Sequence, residues 1–392
     1  MSKGLYKGIA SEADLVLLKV QDDEGRITTE NLVKALQWVL ENHEFYNIRV
    51  VNMSVYDDCS VSYKASLVDQ LAEELIGKGV VVVAAVGNKE DGEIKPPGNS
   101  LNVIAVGGID DGNCIDGSAT SLYHSTYGYT TDGLVKPELV ANAIWIAAPI
   151  LPGTKEKTEA EMLHRLLTLT DIQLQQAFEK NDVVLKEKIN LDSILYSQPV
   201  AGLIRNAIKL RIRDTKYFHP DYMHVDGTSF AAPLVTAVIA QLLEVEPTLT
   251  PMQIRTILFS TAKPFHDLPI ERQGFGYVQP RKAVMKAMKK GVVADLHCSP
   301  CINHLRNTIE FYIQHDWASQ VALAGTFNKW SSDMLLLEHG RNGIWKIEIP
   351  MLPKGRYTYK FFVDENIWIE DVCNPFREPD GMNGWNSVLE VN

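Results

Sequence analysis

The chain has 392 residues, of which 45% are hydrophobic, so it is long enough to form two or three globular domains with sizeable cores. Its 38 basic and 49 acidic residues give a net charge of −11, and no basic block is present that could follow a phosphate backbone. This composition argues against nucleic acid as a partner.

The N-terminal stretch of residues 1–20 carries Glu12 and Asp14 within its apolar part, so it lacks the uninterrupted run of a secretory signal. No segment reads as long and apolar enough to span a membrane, and we therefore expect no membrane partner. The five cysteines are few and odd in number, which is not typical of a disulfide framework and favours a reducing, cytoplasmic location.

From residue 13 to residue 106, short β-branched runs alternate with longer amphipathic stretches, a pattern that predicts a parallel sheet with crossover helices. The apolar runs expected to be strands buried on both faces are residues 15–20, 50–53, 80–85 and 103–106. A first helix is predicted around residues 32–40, after a pair of threonines suited to capping. A second is predicted around residues 67–75 and ended by nearby glycines.

Residues 153–188 interrupt this pattern with a stretch rich in Glu, Lys, Leu and Thr, which we interpret as a helical insertion of two polar helices. The insertion is either a solvated helical pair or a lid over a substrate groove. Farther along, residues 234–243 predict an apolar helix. Thr250, Pro251 and Gln253 then supply a cap, a first-turn proline and a reciprocal side chain for the next helix, and the α/β domain is expected to end near residue 290.

From residue 307 to residue 392, apolar side chains occupy every second position of successive stretches, which predicts a small antiparallel β-sandwich. Residues 291–306 are interpreted as a linker between the two domains. The linker contains His297, Cys298, Cys301 and His304, whose spacing suits zinc. A single CxxC pair is more often unligated, so we expect no metal and no other cofactor.

Residues 226–233, with the sequence DGTSFAAP, place Ser229 between a tight glycine turn and an apolar helix. A helix N-terminus carries partial positive charge and unpaired N–H groups, so a hydroxyl there is exposed and its developing negative charge is stabilised. This arrangement indicates a nucleophile. The alternative is that Thr228 or Ser229 only caps the helix.

The chain resembles the subtilisin-like serine proteases in the sequence and the order of three motifs: NMSVY at residues 52–56, VVVAAVGN at residues 81–88, and GTSFAAP. The resemblance covers roughly residues 4–285. The resemblance implies a subtilisin-like α/β fold, a parallel sheet with helices on both faces, and a polypeptide substrate. It maps the nucleophile onto Ser229.

The same resemblance maps the amide that stabilises the oxyanion onto Asn88. It maps the strand that pairs with an extended substrate onto Ser54, Val55 and Tyr56. An alternative for Asn88 is that it only makes a turn after Gly87.

A serine hydroxyl is a weak nucleophile unless a histidine accepts its proton. In the family, the aspartate strand and the histidine helix both precede the stretch that residues 4–20 resemble, so we expect this sequence to lack the Asp/His segment. His43 falls at the end of a predicted helix, and His224 is too near to Ser229 along the chain to make the contact of a base. We therefore expect Asp and His to come from a longer chain or a separate N-terminal fragment, and the missing strand to leave an exposed sheet edge.

Within the predicted sandwich, AGTFNKW at residues 324–330, YKFFVD at residues 359–364 and WNSV at residues 385–388 resemble the glycogen-binding module of AMP-activated protein kinase β subunits. The resemblance maps the sugar contacts onto Trp330, Lys360, Trp368 and Asn386. Sugar C–H faces pack on indole rings, and Lys and Asn hydrogen-bond to hydroxyls.

The sequence departs from that module at Met382 and Gly384, where the family has a leucine and a threonine. The resemblance implies an α-glucan partner, and the alternative is that the tryptophan pair is plain core. The leading hypothesis is a serine endopeptidase that forms an acyl-enzyme on Ser229 and carries an α-glucan-binding module. The rival hypothesis is a catalytically inactive pseudopeptidase that acts as a glucan-binding scaffold.

Overall fold

The computed structural model of the chain describes residues 6–112, 114, 120–179, 200–288, 299–340 and 343–392. The chain divides into two compact units, and each is described by itself. The larger unit is Ile9–Ala143 with Gly227–Asn392, and the smaller unit is Met1–Gly8 with Ile144–Asp226.

Helices and the first nine strands follow one another in an α/β order. The described helices are α1 (Thr29–Asn42), α2 (Leu67–Gly77), α3 (Lys155–Leu167), α4 (Asp171–Glu179), α5 (Ala201–Thr215), α6 (Thr228–Val245), α7 (Pro251–Thr261) and α8 (Pro280–Ala287). The strands are β1 (Val50–Met53), β2 (Val81–Ala85), β3 (Ile104–Asp110), β4 (Ser121–Leu122), β5 (Gly128–Tyr129), β6 (Val135–Lys136), β7 (Leu139–Asn142), β8 (Ile146–Pro149) and β9 (Tyr222–Val225).

A mainly parallel sheet organises the larger unit. Its hydrogen-bonded order is β1–β2–β3–β4, with β7 paired in parallel to β3, and the short β4 is its antiparallel member. Every residue of β2 and six of the seven residues of β3 are buried, as near-continuous apolar runs predict. The strands predicted at residues 50–53, 80–85 and 103–106 are confirmed, but β1 is not buried on both faces as predicted, since Asn52 is exposed and only Met53 is buried.

The helices of this unit begin where the sequence supplies caps. The hydroxyls of Thr28 and Ser66 accept hydrogen bonds from N–H groups in the first turns of α1 and α2. Thr250 and Gln253 form the predicted reciprocal capping box at the start of α7. The apolar faces of α1 and α2 share one core cluster with Val80, Val82 and Ala84 at and around β2.

The predicted strand at residues 15–20 is wrong. These residues form no strand, and Leu15 and Leu17 are 79% and 77% exposed. Among the described residues β1 pairs with β2 alone, so its other edge has no neighbouring strand and residues 15–20 have none to pair with. A β-branched run becomes a strand only when it finds a hydrogen-bonding neighbour, and here an exposed sheet edge remains, as expected.

Helix α6 is long and apolar enough, by length and composition, to cross a membrane, contrary to the expectation from the sequence. It lies against β1, β2, β3 and β7, and its side chains at Ala231, Val235, Ile239 and Leu242 are fully buried. Core helices of this kind pass the same composition test, because they too are apolar over most of their length.

The smaller unit contains α3, α4 and α5 together with the antiparallel pair β8–β9. The three helices share a core that includes Leu163, Leu174, Phe178 and Ile204. The two predicted helices of the insertion are confirmed as α3 and α4. The part of the predicted insertion at residues 180–188 lies outside the described residues, and the compact unit extends to Asp226 with a further helix, α5, that the sequence did not predict.

The C-terminal part of the larger unit is the predicted antiparallel β-sandwich. Its strands are β10 (Cys301–Asn303), β11 (Thr308–Gln314), β12 (Val321–Gly325), β13 (Glu338–His339), β14 (Ile344–Pro350), β15 (Gly355–Val363), β16 (Ile367–Ile369), β17 (Arg377–Pro379) and β18 (Trp385–Val391). One sheet has the order β10–β11–β14–β13, and the other has the order β12–β15–β18–β17 with β16 added beside β15. Side chains from both sheets, including Phe311, Leu323 and Phe361, form one core.

The predicted linker at residues 291–306 requires a correction. Residues 301–303 form strand β10, which pairs with β11 through Cys301↔Glu310, so the sandwich begins before residue 307. The sequence interpretation placed Cys301 in the linker and missed this short strand. His297 and Cys298 lie outside the described residues.

A buried arginine joins the sandwich to the α/β part of the same unit. The Arg377 side chain lies between two aromatic rings, 4.2 Å from the ring centre of Phe275 and 4.7 Å from that of Trp385. Trp385 also clusters with Val135 and Ile270. The sandwich therefore shares buried surface with the α/β part.

Candidate functional site

The N-terminus of α6 places Ser229 in its first turn. Gly227 is the residue before the helix, with φ 132°, a conformation that favours glycine, and its N–H donates to the carbonyl of Ala143 at 2.7 Å. Neither Thr228 nor Ser229 caps the helix through its side chain, which removes the capping alternative. Ser229 is partly buried and lies in the first turn of α6, at the positive end of the helix dipole.

A proline inside α6 explains why Ser54 lies beside Ser229. Pro233 has no N–H, so the carbonyl of Ser229, four residues earlier, loses its intrahelical partner. The hydroxyl of Ser54, just after β1, donates to this carbonyl at 2.8 Å. The end of β1 and the start of α6 are thereby joined at the candidate nucleophile.

The carboxamide of Asn88 is oriented by Thr228. Its Oδ1 accepts from both the backbone N–H and the hydroxyl of Thr228, each at 2.9 Å. An N–H can only donate, so the oxygen of the amide must face Thr228 and the Nδ2 donor must face the other way. Asn88 therefore does more than make a turn, and Thr228 is a positioning residue that the sequence reasoning missed.

The Asn88 amide and the backbone of Ser229 meet around Gly227. A methyl group on Gly227 would lie 3.4 Å from Asn88 Nδ2 and 3.8 Å from the backbone nitrogen of Ser229. N–H groups in the first turn of a helix have no intrahelical acceptor, so both nitrogens are potential donors close to Gly227.

The three residues mapped to substrate pairing, Ser54, Val55 and Tyr56, have different surroundings. Ser54 contacts Ser229, Val55 packs against the core of α1 and α2, and Tyr56 is exposed with Lys95 Nζ 5.2 Å from its ring centre. The segment follows β1 and is not itself paired, so its backbone groups remain to be satisfied by water or by another chain.

The histidines considered as bases have other partners. His43 Nδ1 lies 2.9 Å from the carbonyl of Leu40 at the end of α1, and His224 Nδ1 lies 2.9 Å from the carbonyl of Trp145 within the smaller unit. A histidine that the sequence reasoning missed, His124, lies with Nδ1 2.9 Å from the backbone carbonyl of Asn88. Among the described residues, no group of His, Cys, Asp and Glu could hold a metal ion.

The candidate sugar-binding residues meet on the outer face of the second sandwich sheet. The rings of Trp330 and Trp368 lie edge to face with centres 6.0 Å apart, and Trp368 is 45% exposed. Neither tryptophan belongs to the sandwich core, which removes the alternative of plain core residues. Lys360 on β15 and Asn386 on β18 project from the same sheet face, because the buried Tyr359, Phe361 and Ser387 alternate with them.

Lys360 is held by a carboxylate that the sequence did not indicate. Its Nζ forms an ion pair with Asp380, and both side chains are largely buried. Burial opposes ionisation of Asp380, but the hydrogen bonds from Lys360 and from the N–H groups of Met382 and Gly384 lower its pKa below the ordinary value. The lysine ammonium is therefore held by Asp380 on the outer face of this sheet.

The larger unit combines a mainly parallel α/β sheet with a serine at a helix N-terminus, beside a carboxamide that Thr228 orients. A family model described as the subtilase family matches residues 2–277, and the chain belongs to this family. A second model, described as the glycogen recognition site of AMP-activated protein kinase, matches residues 310–392.

Several proteins are similar to this chain over part of their length. Serine protease AprX of Bacillus subtilis (strain 168) is 25% identical over 292 residues, which are 72% of this chain and 54% of AprX. Subtilisin BL of Lederbergia lenta is 33% identical over 106 residues, 27% of this chain and 36% of that protein. The crystal structure of fervidolysin from Fervidobacterium pennivorans, described as a keratinolytic enzyme related to subtilisin, covers 86% of this chain and 39% of its own, with 18% identity and a TM-score of 0.42. This chain thus spans about half the length of AprX.

Proposed function

We propose that this chain carries the nucleophile of a subtilisin-like serine endopeptidase and an appended α-glucan-binding module. The observation that carries the peptidase proposal is the convergence of Asn88 Nδ2 and the backbone nitrogen of Ser229 around Gly227. In the reaction, Ser229 Oγ attacks the scissile carbonyl carbon while a base takes the hydroxyl proton, and the oxyanion is held by the two N–H donors. The C–N bond then breaks as the base returns the proton to the amine, and water hydrolyses the acyl-enzyme.

The base and its partner carboxylate are the parts that we assign to another segment. The unpaired edge of β1 and the exposed side chains of residues 15–18 are what an additional strand would cover. Since β1 leads into Ser54, which contacts Ser229, a strand added at this edge would deliver its C-terminal side chains close to the nucleophile. We propose that a segment with an aspartate at the end of such a strand and a histidine on the following helix supplies the missing groups.

The test uses a fluorophosphonate probe on the chain extended upstream by its natural reading frame, or co-expressed with that upstream segment. We expect labelling that depends on the added segment and disappears in Ser229→Ala. The matched control is Ser331→Ala, a serine on the sandwich loop that should leave labelling unchanged. Absence of labelling in every extended form would contradict the peptidase proposal.

The carbohydrate proposal is supported by the pair formed by the exposed Trp368 and the partly buried Trp330, and by the Lys360 ammonium held by Asp380. Stacking of sugar rings on indole needs an exposed π face, and the ammonium donates to hydroxyl groups. We expect the full chain to be retained on immobilised glycogen, and Trp330→Ala with Trp368→Ala to abolish retention. Trp317→Ala, at another exposed tryptophan of the sandwich, is the control that should bind like the parent.

The rival proposal is a pseudopeptidase scaffold, and the partners of His43 and His224 within the described residues favour it. This scaffold would bind glycogen and show no probe labelling or proteolysis in any upstream-extended form. The two assays therefore separate the hypotheses, because only the endopeptidase gives both results.

A further inference from the structure

An open, shallow cavity of about 330 Å³ lies on the outer face of the second sandwich sheet. Its walls are Gln320, Ala322, Ser332, Asp333, Phe362 and Glu365. Its volume falls at the lower end of the range of small-molecule sites, about 300–1,000 Å³. None of these side chains was mapped to sugar binding from the sequence.

The cavity continues the aromatic surface of the tryptophan pair. The ring centres of Trp330 and Trp368 are 6.0 Å apart, and those of Trp368 and Phe362 are 4.5 Å apart. Phe362 is also a wall of the cavity, opposite the small side chain of Ala322 in the β12–β15 register. Three rings in a row therefore lead from Trp330 into the cavity.

Hydrogen bonds of Asp364 connect two backbone segments that line the cavity. Asp364 accepts hydrogen bonds from the N–H groups of Ser319 at 2.7 Å and Gln320 at 3.0 Å, and its own N–H donates to the carbonyl of Gln320 at 3.0 Å. Asp364 and Glu365 form the tight turn between β15 and β16, both with positive φ. These hydrogen bonds join the backbone of residue 320 to the turn that carries Glu365, so the two cavity residues start from connected backbone positions.

The chemistry of the rim suits a neutral polyol. Carboxylates at Asp333 and Glu365 accept hydrogen bonds from hydroxyl groups, the amide of Gln320 donates and accepts, and the ring of Phe362 offers an apolar face. Two carboxylates also repel phosphate, so phosphorylated sugars are disfavoured at this cavity.

We propose that this cavity is an additional subsite that takes a further glucosyl unit of an α-glucan chain whose preceding units stack on Trp330 and Trp368. The inference rests on the proposed glucan binding and adds to it a preference for long, unphosphorylated chains over short ones. A ligand that spans both surfaces contacts three aromatic rings and the acidic rim, whereas a short ligand held by the tryptophan pair does not reach Asp333 and Glu365.

The experiment is isothermal titration calorimetry of the full chain with maltotriose and with maltoheptaose. The test variant is Asp333→Asn with Glu365→Gln, and the control is Glu338→Gln with Glu348→Gln on the opposite sheet. We expect the test variant to bind maltoheptaose about tenfold more weakly, which corresponds to about 1.4 kcal/mol, and to bind maltotriose like the parent. Unchanged maltotriose binding also reports that the variant is folded.

Equal affinity of the test variant and the parent for maltoheptaose would overturn the subsite, and so would an equal loss for both sugars. In either case maltotriose binding by the parent would leave the proposed glucan function standing. Absence of binding of both sugars to the parent would overturn the glucan function and the subsite together.

Discussion

Replacing Ser54 by alanine tests whether the proline in α6 makes Ser229 depend on β1. The Ser54 hydroxyl donates at 2.8 Å to the Ser229 carbonyl, which Pro233 leaves without an intrahelical donor. An acceptor left unsatisfied costs about 1–3 kcal/mol when it is buried. Both residues are partly buried, so water can replace part of the bond and we expect a loss of about 1 kcal/mol in the free energy of unfolding.

The decisive measurement is a double-mutant cycle by equilibrium urea unfolding. Pro233→Ala restores an N–H that can donate to the Ser229 carbonyl, so Ser54→Ala should cost close to nothing in that background. The expected coupling is about 1 kcal/mol, a size typical of residues that share one hydrogen-bonded group.

Thr236→Val provides the matched control for this cycle. Its hydroxyl has two acceptors within reach, the Ala232 carbonyl at 3.0 Å and Asn52 Oδ1 at 3.1 Å, and neither depends on Pro233, because the Ala232 carbonyl already has an intrahelical donor in the N–H of Thr236. The Thr236 substitution should therefore cost the same in the parent chain and in the Pro233→Ala background. If Ser54→Ala is equally costly in both backgrounds, the proline does not create the need for the Ser54 hydroxyl and the reasoning is wrong.

Three further predictions concern buried groups. Burial raises the pKa of Asp69 to about 7 from an ordinary 3.8, so ionisation of Asp69 destabilises the fold fully above pH 7 and not at all below pH 4. Asp69→Asn removes this penalty and should raise the free energy of unfolding at pH 8 by up to about 4 kcal/mol. At pH 3.5 the free energy of unfolding should be unchanged, and urea titrations at both pH values measure the difference. Gly227→Ala should lower the free energy of unfolding by about 1–3 kcal/mol because of its positive φ, and a backbone shift that relieves this strain should lower probe labelling, since it moves the adjacent Ser229. Gly133→Ala, with φ 79° and open space around it, should share the strain and keep the labelling. Arg377→Ala should lower the free energy of unfolding by about 3–5 kcal/mol, since it removes a buried cation whose charge interacts with that of Glu370. Adding Glu370→Gln should recover part of this loss. If the effects of the two substitutions on the free energy of unfolding simply add, the two charges do not interact.

The sequence was sufficient to predict two kinds of element: those that depend only on neighbouring residues, and those whose pairing strands are present in this chain. The caps at Thr28, Ser66 and Thr250 predict helix starts because capping depends on a few neighbouring residues. The apolar run of β2 predicts a buried strand because neighbours on both sides cover it. The apolar stretch at residues 15–20 has the same pattern, yet it forms no strand because no neighbouring strand is available to pair with it in the part of the chain that the structure describes. The sequence of one stretch does not show whether such a neighbour exists.

For the candidate sites, the sequence predicts the chemistry of individual residues and misses the groups that orient them. Ser229, Asn88, Trp330 and Trp368 follow from motifs. The role of Thr228 depends on a contact across 140 residues of sequence, and no local pattern encodes it. Asp380, which forms an ion pair with Lys360, lies 20 positions from it in the sequence. The two residues are brought close because β17 pairs with β18 and β18 pairs with β15.

The contact of Arg377 with Phe275 and Trp385 has a consequence for the two proposed activities. Trp385 is buried against the α/β part, and its immediate neighbour on β18, Asn386, projects from the sugar face. Because adjacent residues of one strand serve the two surfaces, a polysaccharide granule held by the sandwich would present the catalytic helix in one fixed orientation. Substrates attached to the same granule would then be cleaved only at those bonds that this orientation brings within reach.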